Sequence, residues 1–355
     1  MIKRIKTIIA LSIIPQIFVV KQLANYPDLI EKYYSNGIYP WLSKAFRLVF
    51  GWIPFSIGDI FYTIAFILII RFLILNWKMF LYETRNFFRE VFTVISLLYF
   101  VFHLFWGLNY YREPISKSLN LGDDYTTEEL LDFTKKLIAK SNQIQIEITH
   151  SDTTIVKIPY SQREIYQMTT NGFSNLAKKM PNLTYDFRSI KSSIYSIPLT
   201  YMGYGGYLNP FTHEAQVNRL AFSYKYPTVA CHEQAHQLGF SAENEANFIG
   251  YLAAVNNDDI FFKYSGYVYT LRYCLGELKH RNEELFDELN CLINPGVIKN
   301  YLNVAKFWSK YENKAEPAFK SSFNTFLKAN NQKDGIKSYS YVVTLLVNYH
   351  KDNPL

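Results

Sequence analysis

Between Val91 and Tyr110 the chain runs for 20 residues (VFTVISLLYFVFHLFWGLNY) without one Asp, Glu, Lys or Arg. At ~1.5 Å per residue such a run crosses a hydrocarbon layer of ~30 Å, and a helix there satisfies its own backbone polar groups. A membrane span over 91–110 is therefore expected. Ser56–Trp77 is equally apolar apart from Asp59 near one end and Arg71 in its last third, where a long side chain can snorkel to the headgroups. It reads as a span over 56–77. Thr7–Val20 is shorter and contains Pro15 and Gln16, which fits a kinked span or the apolar core of a signal peptide. No A-x-A-like cleavage site follows it, which favours a retained span over 7–20. Residues 1–110 then form a membrane domain and residues 111–355 a second one.

The charge pattern orients the spans. Lys3, Arg4 and Lys6 precede the first, and Lys78, Arg85 and Arg89 fill the loop between the second and third. By the positive-inside rule both belong in the cytoplasm, which places the segment after Tyr110 outside. Trp41, Trp52, Trp77 and Trp106 lie near the expected span ends, as an interfacial aromatic belt requires. The net charge of +7 is carried almost wholly by residues 1–110, with 11 Lys/Arg against 5 Asp/Glu. The rest of the chain is nearly neutral, which argues against a nucleic-acid partner. The expected partner of the first part is the lipid bilayer.

After the spans, capping boxes at Thr126–Glu129 and Ser161–Glu164 open two amphipathic helices. Between Ser189 and Asn218 the composition turns to Ile, Tyr, Val and Gly, predicting a few strands. From Pro227 onward it is helical again, with breaks near Asn256–Asp259, Asn294-Pro295, Ala315–Pro317 and Asn330–Gly335. The expected fold class is α+β: transmembrane helices followed by a mainly helical domain with a small sheet. The three cysteines leave two readings open, a Cys274–Cys291 bridge or three free buried thiols.

The chemistry centres on His232-Glu233-Gln234-Ala235-His236, an HExxH motif on a helical background. Residues four apart share a helical face, so both imidazoles can point at one Zn²⁺ while Glu233 reaches a neighbouring water. A catalytic zinc takes three protein ligands and keeps one position open. Gly239 ends the helix as a left-handed cap, and a second helix capped by Ser241 brings Glu243 back toward the metal, with Glu245 as the alternative ligand. Asn247, one turn beyond Glu243, is placed to hydrogen-bond a ligand. Cys231 points off the ligand face and reads as core. His103, inside the third span, reads as an interfacial or interhelical hydrogen bonder rather than a ligand.

The segment Glu243–Asn247 (ENEAN) resembles the E-x-x-A-D ligand motif of thermolysin- and neprilysin-like zinc peptidases, the gluzincins. Aligned on Ala246, the resemblance puts the third ligand on Glu243. Asn247 stands where those enzymes have Asp, and the gap from His236 is shorter. The whole chain also resembles a bacterial family of envelope proteins with three spans and an outer HExxH domain, known as a domain of unknown function. IPFSIGD (53–59), WGLNYYREPI (106–115), YMGYGGYLNPFTHEAQVN (201–218), HEQAHQLGFSAENEANF (232–248) and IKSYSYVVTLLVNY (336–349) carry it. It implies a zinc metallopeptidase of the inner membrane, its catalytic domain in the periplasm. Tyr201–Asn218 resembles the edge strand beside the active-site helix of zincins, where an extended peptide can add as a strand. Tyr201, Tyr204, Tyr207 and His213 are then candidate oxyanion donors, as is Tyr339 through the family resemblance.

The reading is a membrane-anchored zinc metallopeptidase acting on a peptide or envelope protein. His232, His236 and Glu243 hold the metal and Glu233 is the general base. The rivals are a catalytically idle membrane-anchored binding or scaffold protein with a structural metal, and an intramembrane protease. The first lacks a nearby Cys or His as fourth ligand, and the second needs the motif within an apolar run. The sequence fixes no oligomeric state.

Overall fold

The computed structural model describes residues 1–332, 335 and 341–355. It is mostly helical. Three helices are long and apolar enough to cross a membrane: α1 (Ile2–Leu23, 22 residues), α3 (Ile57–Leu75, 19 residues) and α4 (Thr84–Phe105, 22 residues). Helix α2 (Tyr39–Gly51) lies between the first two.

The expected 91–110 span is displaced toward its N-terminus. Helix α4 starts at Thr84 because the charges there are paired: Glu90 accepts from Lys6 at 2.5 Å and meets Arg89 at 3.3 Å. It stops at Phe105 because Gly107 tucks against its last turn. A Cβ on Gly107 would lie 2.6 Å from the Phe102 ring. Residues Gly107–Tyr111 continue as a 3-10 turn. Helix α1 likewise extends beyond 7–20, with a break in regular geometry at Ser12, three residues before Pro15, which offers no N–H to the Leu11 carbonyl. Its polar residues form the seam to α4: Ser12 and Ser96 hydroxyls lie 3.0 Å apart, Gln16 donates to Ser96 at 2.9 Å, and Thr93 donates to the Lys6 carbonyl at 3.0 Å. Such bonds hold apolar helices together where lipid offers no hydrophobic drive. Among the described residues the hydrogen bond of His103 stays within its own helix, where Nδ1 lies 3.0 Å from the Tyr99 carbonyl one turn back.

The second part of the chain holds α5 (Thr127–Thr149), α6 (Gln162–Ala177), a three-stranded sheet, α7 (Tyr226–Gln237), α8 (Glu243–Val255), α9 (Ile260–Arg281), α10 (Glu283–Asn290), α11 (Pro295–Ser309), α12 (Glu316–Ala329) and α13 (Val342–Asp352). Both capping boxes form, Thr126 with Glu129 and Ser161 with Glu164. Pro227, Pro295 and Pro317 sit in first turns, where a missing N–H costs nothing. The sheet, β1 (Ile190–Ser192), β2 (Gly206–Leu208) and β3 (Ala215–Val217), has order β1-β3-β2, with β1 parallel and β2 antiparallel to β3. Helices α7 and α8 are almost wholly buried, and their Ala230, Ala235, Phe248 and Ile249 pack with Phe173 of α6 and Leu271 of α9 in the main core.

The sheet is locked to the start of α3. The Glu214 carboxylate accepts the N–H groups of Ile57 at 3.2 Å and Gly58 at 2.5 Å, the Thr212 hydroxyl at 3.0 Å, and the buried Lys191 ammonium. Asp59 accepts from Ser193 at 2.9 Å, the Ile194 N–H at 2.7 Å and the Tyr207 hydroxyl. These acids at a helix N-terminus also meet its positive dipole end. Contacts thus cross residue 110 freely: Tyr39 donates to the Gln237 carbonyl at 3.2 Å and Ser43 to the same oxygen at 2.7 Å.

All three cysteines are free, and Cys291 is exposed rather than buried. Near the C-terminus the His350 ring stacks on Phe133 at 5.0 Å and its Nε2 meets the Tyr251 hydroxyl at 2.9 Å. Burial lowers its pKa to about 4, with Lys136 adding to the effect. The folded state keeps the ring neutral while the unfolded chain takes a proton near pH 6.5, so stability is full above that pH and is lost as pH falls toward 4. Between pH 7.5 and 5.5 the loss is about 1 kcal/mol, and His350→Gln will flatten it in a thermal melt followed at both pH values.

Candidate metal centre

Helix α7 carries its two histidines on one face four residues apart, and the rings lie 4.7 Å centre to centre at 84°. The helix ends at Gln237, and Gly239 turns the chain at φ +90°. A side chain there would strain the backbone and press on Tyr39, whose ring lies 2.9 Å from the position of a Cβ. Helix α8 then opens at Glu243. Ser241 is not its cap; Ala242 holds that position and makes no side-chain cap bond, while the Ser241 carbonyl accepts from Gln332 at 3.1 Å.

The turn brings Glu243 back to the histidines. Its Oε2 lies 3.3 Å from His232 Nε2 and 3.7 Å from His236 Nε2. Two ligands each ~2.0–2.1 Å from a tetrahedral zinc stand about 3.4 Å apart, so the spacing suits three atoms around one ion. His236 Nδ1 is engaged with the Phe240 carbonyl at 2.7 Å, which directs Nε2 to the cluster. His232 Nδ1 has no partner among the described residues. His232, Glu233 and His236 also form a group whose ligand atoms all lie within 4.8 Å of one another.

The electrostatics are those of a buried, mutually coupled carboxylate–imidazole cluster. Burial pulls the His236 imidazole down, but Glu243 outweighs it and the pKa rises to about 9. Burial would raise Glu243, and the two imidazoles hold it well below the usual carboxylate range. Burial raises Glu233 to about 7, Glu243 adding and the imidazoles opposing. A cation would displace the His236 proton and pull Glu233 back down. Glu233 Oε2 is buried without a partner, and its Oε1 lies against β2, 2.5 Å from where a Gly206 Cβ would stand. Only glycine leaves room for that carboxylate beside the strand.

The other candidates fall elsewhere. Glu245 is turned away, accepting the Ile115 N–H at 2.6 Å, and burial raises its pKa to about 7 against the pull of Arg112. Asn247 accepts from the Tyr269 hydroxyl at 2.8 Å. Tyr204 is half-buried against Phe323 at 5.4 Å, its phenol raised by burial and then by the charge of Glu243. Tyr201 is exposed beside Tyr311, and the Tyr207 hydroxyl is held by Asp59. His213 lies outside the cluster, fully buried among Tyr39, Phe46 and Phe105, its two ring nitrogens without a hydrogen-bond partner among the described residues. Burial, with Arg47 adding, lowers its pKa to about 3. Tyr339 lies outside the described residues.

Several supporting residues carry no signal in the sequence. Trp106 meets His236 edge-on at 6.0 Å, and Tyr39 bonds the C-terminal carbonyls of α7. One of 29 tyrosines and a tryptophan at a span end cannot be singled out by pattern.

A family model described as a protein of unknown function, DUF3810, matches residues 34–347. The chain belongs to that family. The DUF3810 match begins at Tyr34, beyond α1, and takes in α2, α3 and α4 together with the histidine helix. The segments that bond to α7 from before residue 110 are therefore part of the family's own unit. No curated protein and no solved structure matches the chain.

Proposed function

We propose that this chain is a membrane-anchored zinc metallopeptidase of zincin-like construction, its metal held by His232, His236 and Glu243. The observation that carries the reading is the separation of Glu243 Oε2 from the two Nε2 atoms, 3.3 and 3.7 Å, near the edge of a tetrahedral ligand set. Bound Zn²⁺ would supply Lewis acidity to a scissile carbonyl and to the attacking water. Glu233, whose carboxylate lies beside the two imidazoles, would take a proton from that water and return it to the leaving amine.

The substrate chain lies along β2. Asn209 donates to the Glu214 carbonyl and Asn218 to the Gly205 carbonyl, so strand alternation turns the polar groups of Gly206 and Leu208 to the free edge. An extended peptide can pair there beside Glu233. Lys3, Arg4 and Lys6 at the start of α1, Lys78 just after α3 and Arg85 and Arg89 at the start of α4 lie at the ends opposite those that meet this domain through Asp59 and Trp106, which supports an extracytoplasmic, periplasmic site in an inner membrane.

The test is purified, detergent-solubilised protein incubated with a mixed peptide pool, new termini being read by mass spectrometry. New termini that vanish with a chelator and return with zinc support the reading. A zinc-loaded, folded protein that generates none contradicts it and favours a binding protein.

A further inference from the structure

Helix α2 has two opposite faces, and both are covered in apolar or buried groups. Tyr39, Ser43 and Arg47 recur every four residues, are all buried, and face the metal helix, where Tyr39 and Ser43 bond its C-terminal carbonyls. Ile38, Trp41, Ala45, Leu48 and Trp52 recur at spacings of three and four on the other side. At 100° per residue the two stripes are centred roughly 180° apart. The four large members of the outer stripe are 57, 77, 55 and 79% exposed, and Val49 and Phe55 beside them are 56 and 50% exposed. Water would leave this surface as a contiguous apolar patch.

The neighbours say what covers it. Helix α2 joins α1 to α3, two of the apolar helices, and its Phe46 packs on Phe105, the last residue of α4, at 5.1 Å. It continues the π-helical turn Ile30–Ile38 without a break, and with Glu31, Lys32, Lys44 and Arg47 along it this helix is not among the described helices apolar enough to cross a membrane. A helix with one lipid-compatible face at the ends of three spans belongs in the plane of the membrane interface. Lipid continues there from the exposed faces of the spans.

The metal cluster rests on the other face of the same helix. Trp106, next after α4, lies 6.0 Å from His236, and Tyr207 of β2 is bonded to Asp59 in the first turn of α3. Val20 of α1, Tyr39, Trp106 and Leu208 of β2 share one apolar cluster. We infer that α2 lies on the bilayer and seats the metal centre at its surface, so that its substrates are membrane-attached polypeptides cut close to their point of attachment. The substrate class rests on the peptidase reading; the seating of α2 does not.

Two measurements on the full-length protein in phosphatidylcholine–phosphatidylglycerol vesicles test this. Nitroxides are placed at Ala45→Cys or Leu48→Cys in a Cys291→Ser background, with Lys136→Cys as the water-facing reference. Positions 45 and 48 are expected to collide with oxygen and to be shielded from a water-soluble nickel chelate. Chelate access equal to that at 136, or spin–spin broadening from a second copy, would overturn the seating. A peptide of identical cleavable repeats, palmitoylated at one end, is then digested and its cuts mapped. Cuts roughly tenfold more frequent in the anchor-proximal repeats than in the distal ones are expected. Even cutting along the anchored peptide overturns the substrate class while leaving peptidase activity intact. No cutting of anchored or free peptide overturns the peptidase reading and the substrate class with it, the nitroxides still deciding where α2 lies.

Discussion

Glu233→Gln will keep its zinc and its fold while hydrolysis of any cleavable peptide falls by about 10²–10⁴-fold, the range that loss of a positioned general base produces. Gln fills the same space beside Gly206, so packing against β2 is preserved, but it cannot accept a proton. Two readouts separate this role from a structural one. Metal content and melting temperature stay at wild-type values, whereas Glu243→Gln, which removes a carboxylate 3.3 and 3.7 Å from the imidazoles, loses metal. A Glu233→Gln protein that cleaves at nearly the wild-type rate would remove Glu233 from the chemistry.

The second large effect concerns how the sheet is held. Lys191→Met will destabilise the protein by about 3–5 kcal/mol, because it leaves the Glu214 carboxylate buried without its cation. Lys191 also donates to the Phe50 carbonyl at 2.8 Å, at the end of α2, so the pair ties β1 and the approach to β3 to the segment between the first two apolar helices. The double variant Lys191→Met with Glu214→Gln is expected to recover much of the loss, since no unpaired charge remains. Thermal melts in detergent decide this. A single-variant loss below about 1 kcal/mol would mean that Glu214 stays adequately solvated without its partner.

Features set by local chemistry were readable in the chain. The capping boxes at Thr126 and Ser161 form, the strands fall between Ser189 and Asn218, and the charge-free runs lie within or beside long apolar helices. Span ends were less legible, because they depend on long-range partners. Thr84–Glu90 is helical through the pairing of Glu90 with Lys6, and α4 stops where Gly107 meets its own last turn. The HExxH spacing placed two imidazoles on one face, as helical geometry dictates. The choice between Glu243 and Glu245 had no sequence criterion apart from a resemblance. The structure separates them by contact, one facing the imidazoles and the other bonded to the Ile115 N–H. The support from Tyr39, Ser43 and Trp106 arises from segments far away in sequence, in a part of the chain that hydropathy reads only as membrane.

Elemental analysis decides whether His232, His236 and Glu243 form a metal site. Purified, detergent-solubilised wild-type protein, supplied with zinc and then desalted, is compared with His236→Ala and Glu233→Gln by mass spectrometry of its metal content. About one zinc per chain in the wild type and in Glu233→Gln, with a loss of at least roughly tenfold in His236→Ala, is the predicted result. A folded wild-type protein that retains no zinc, or a His236→Ala protein that retains as much as wild type, would contradict it.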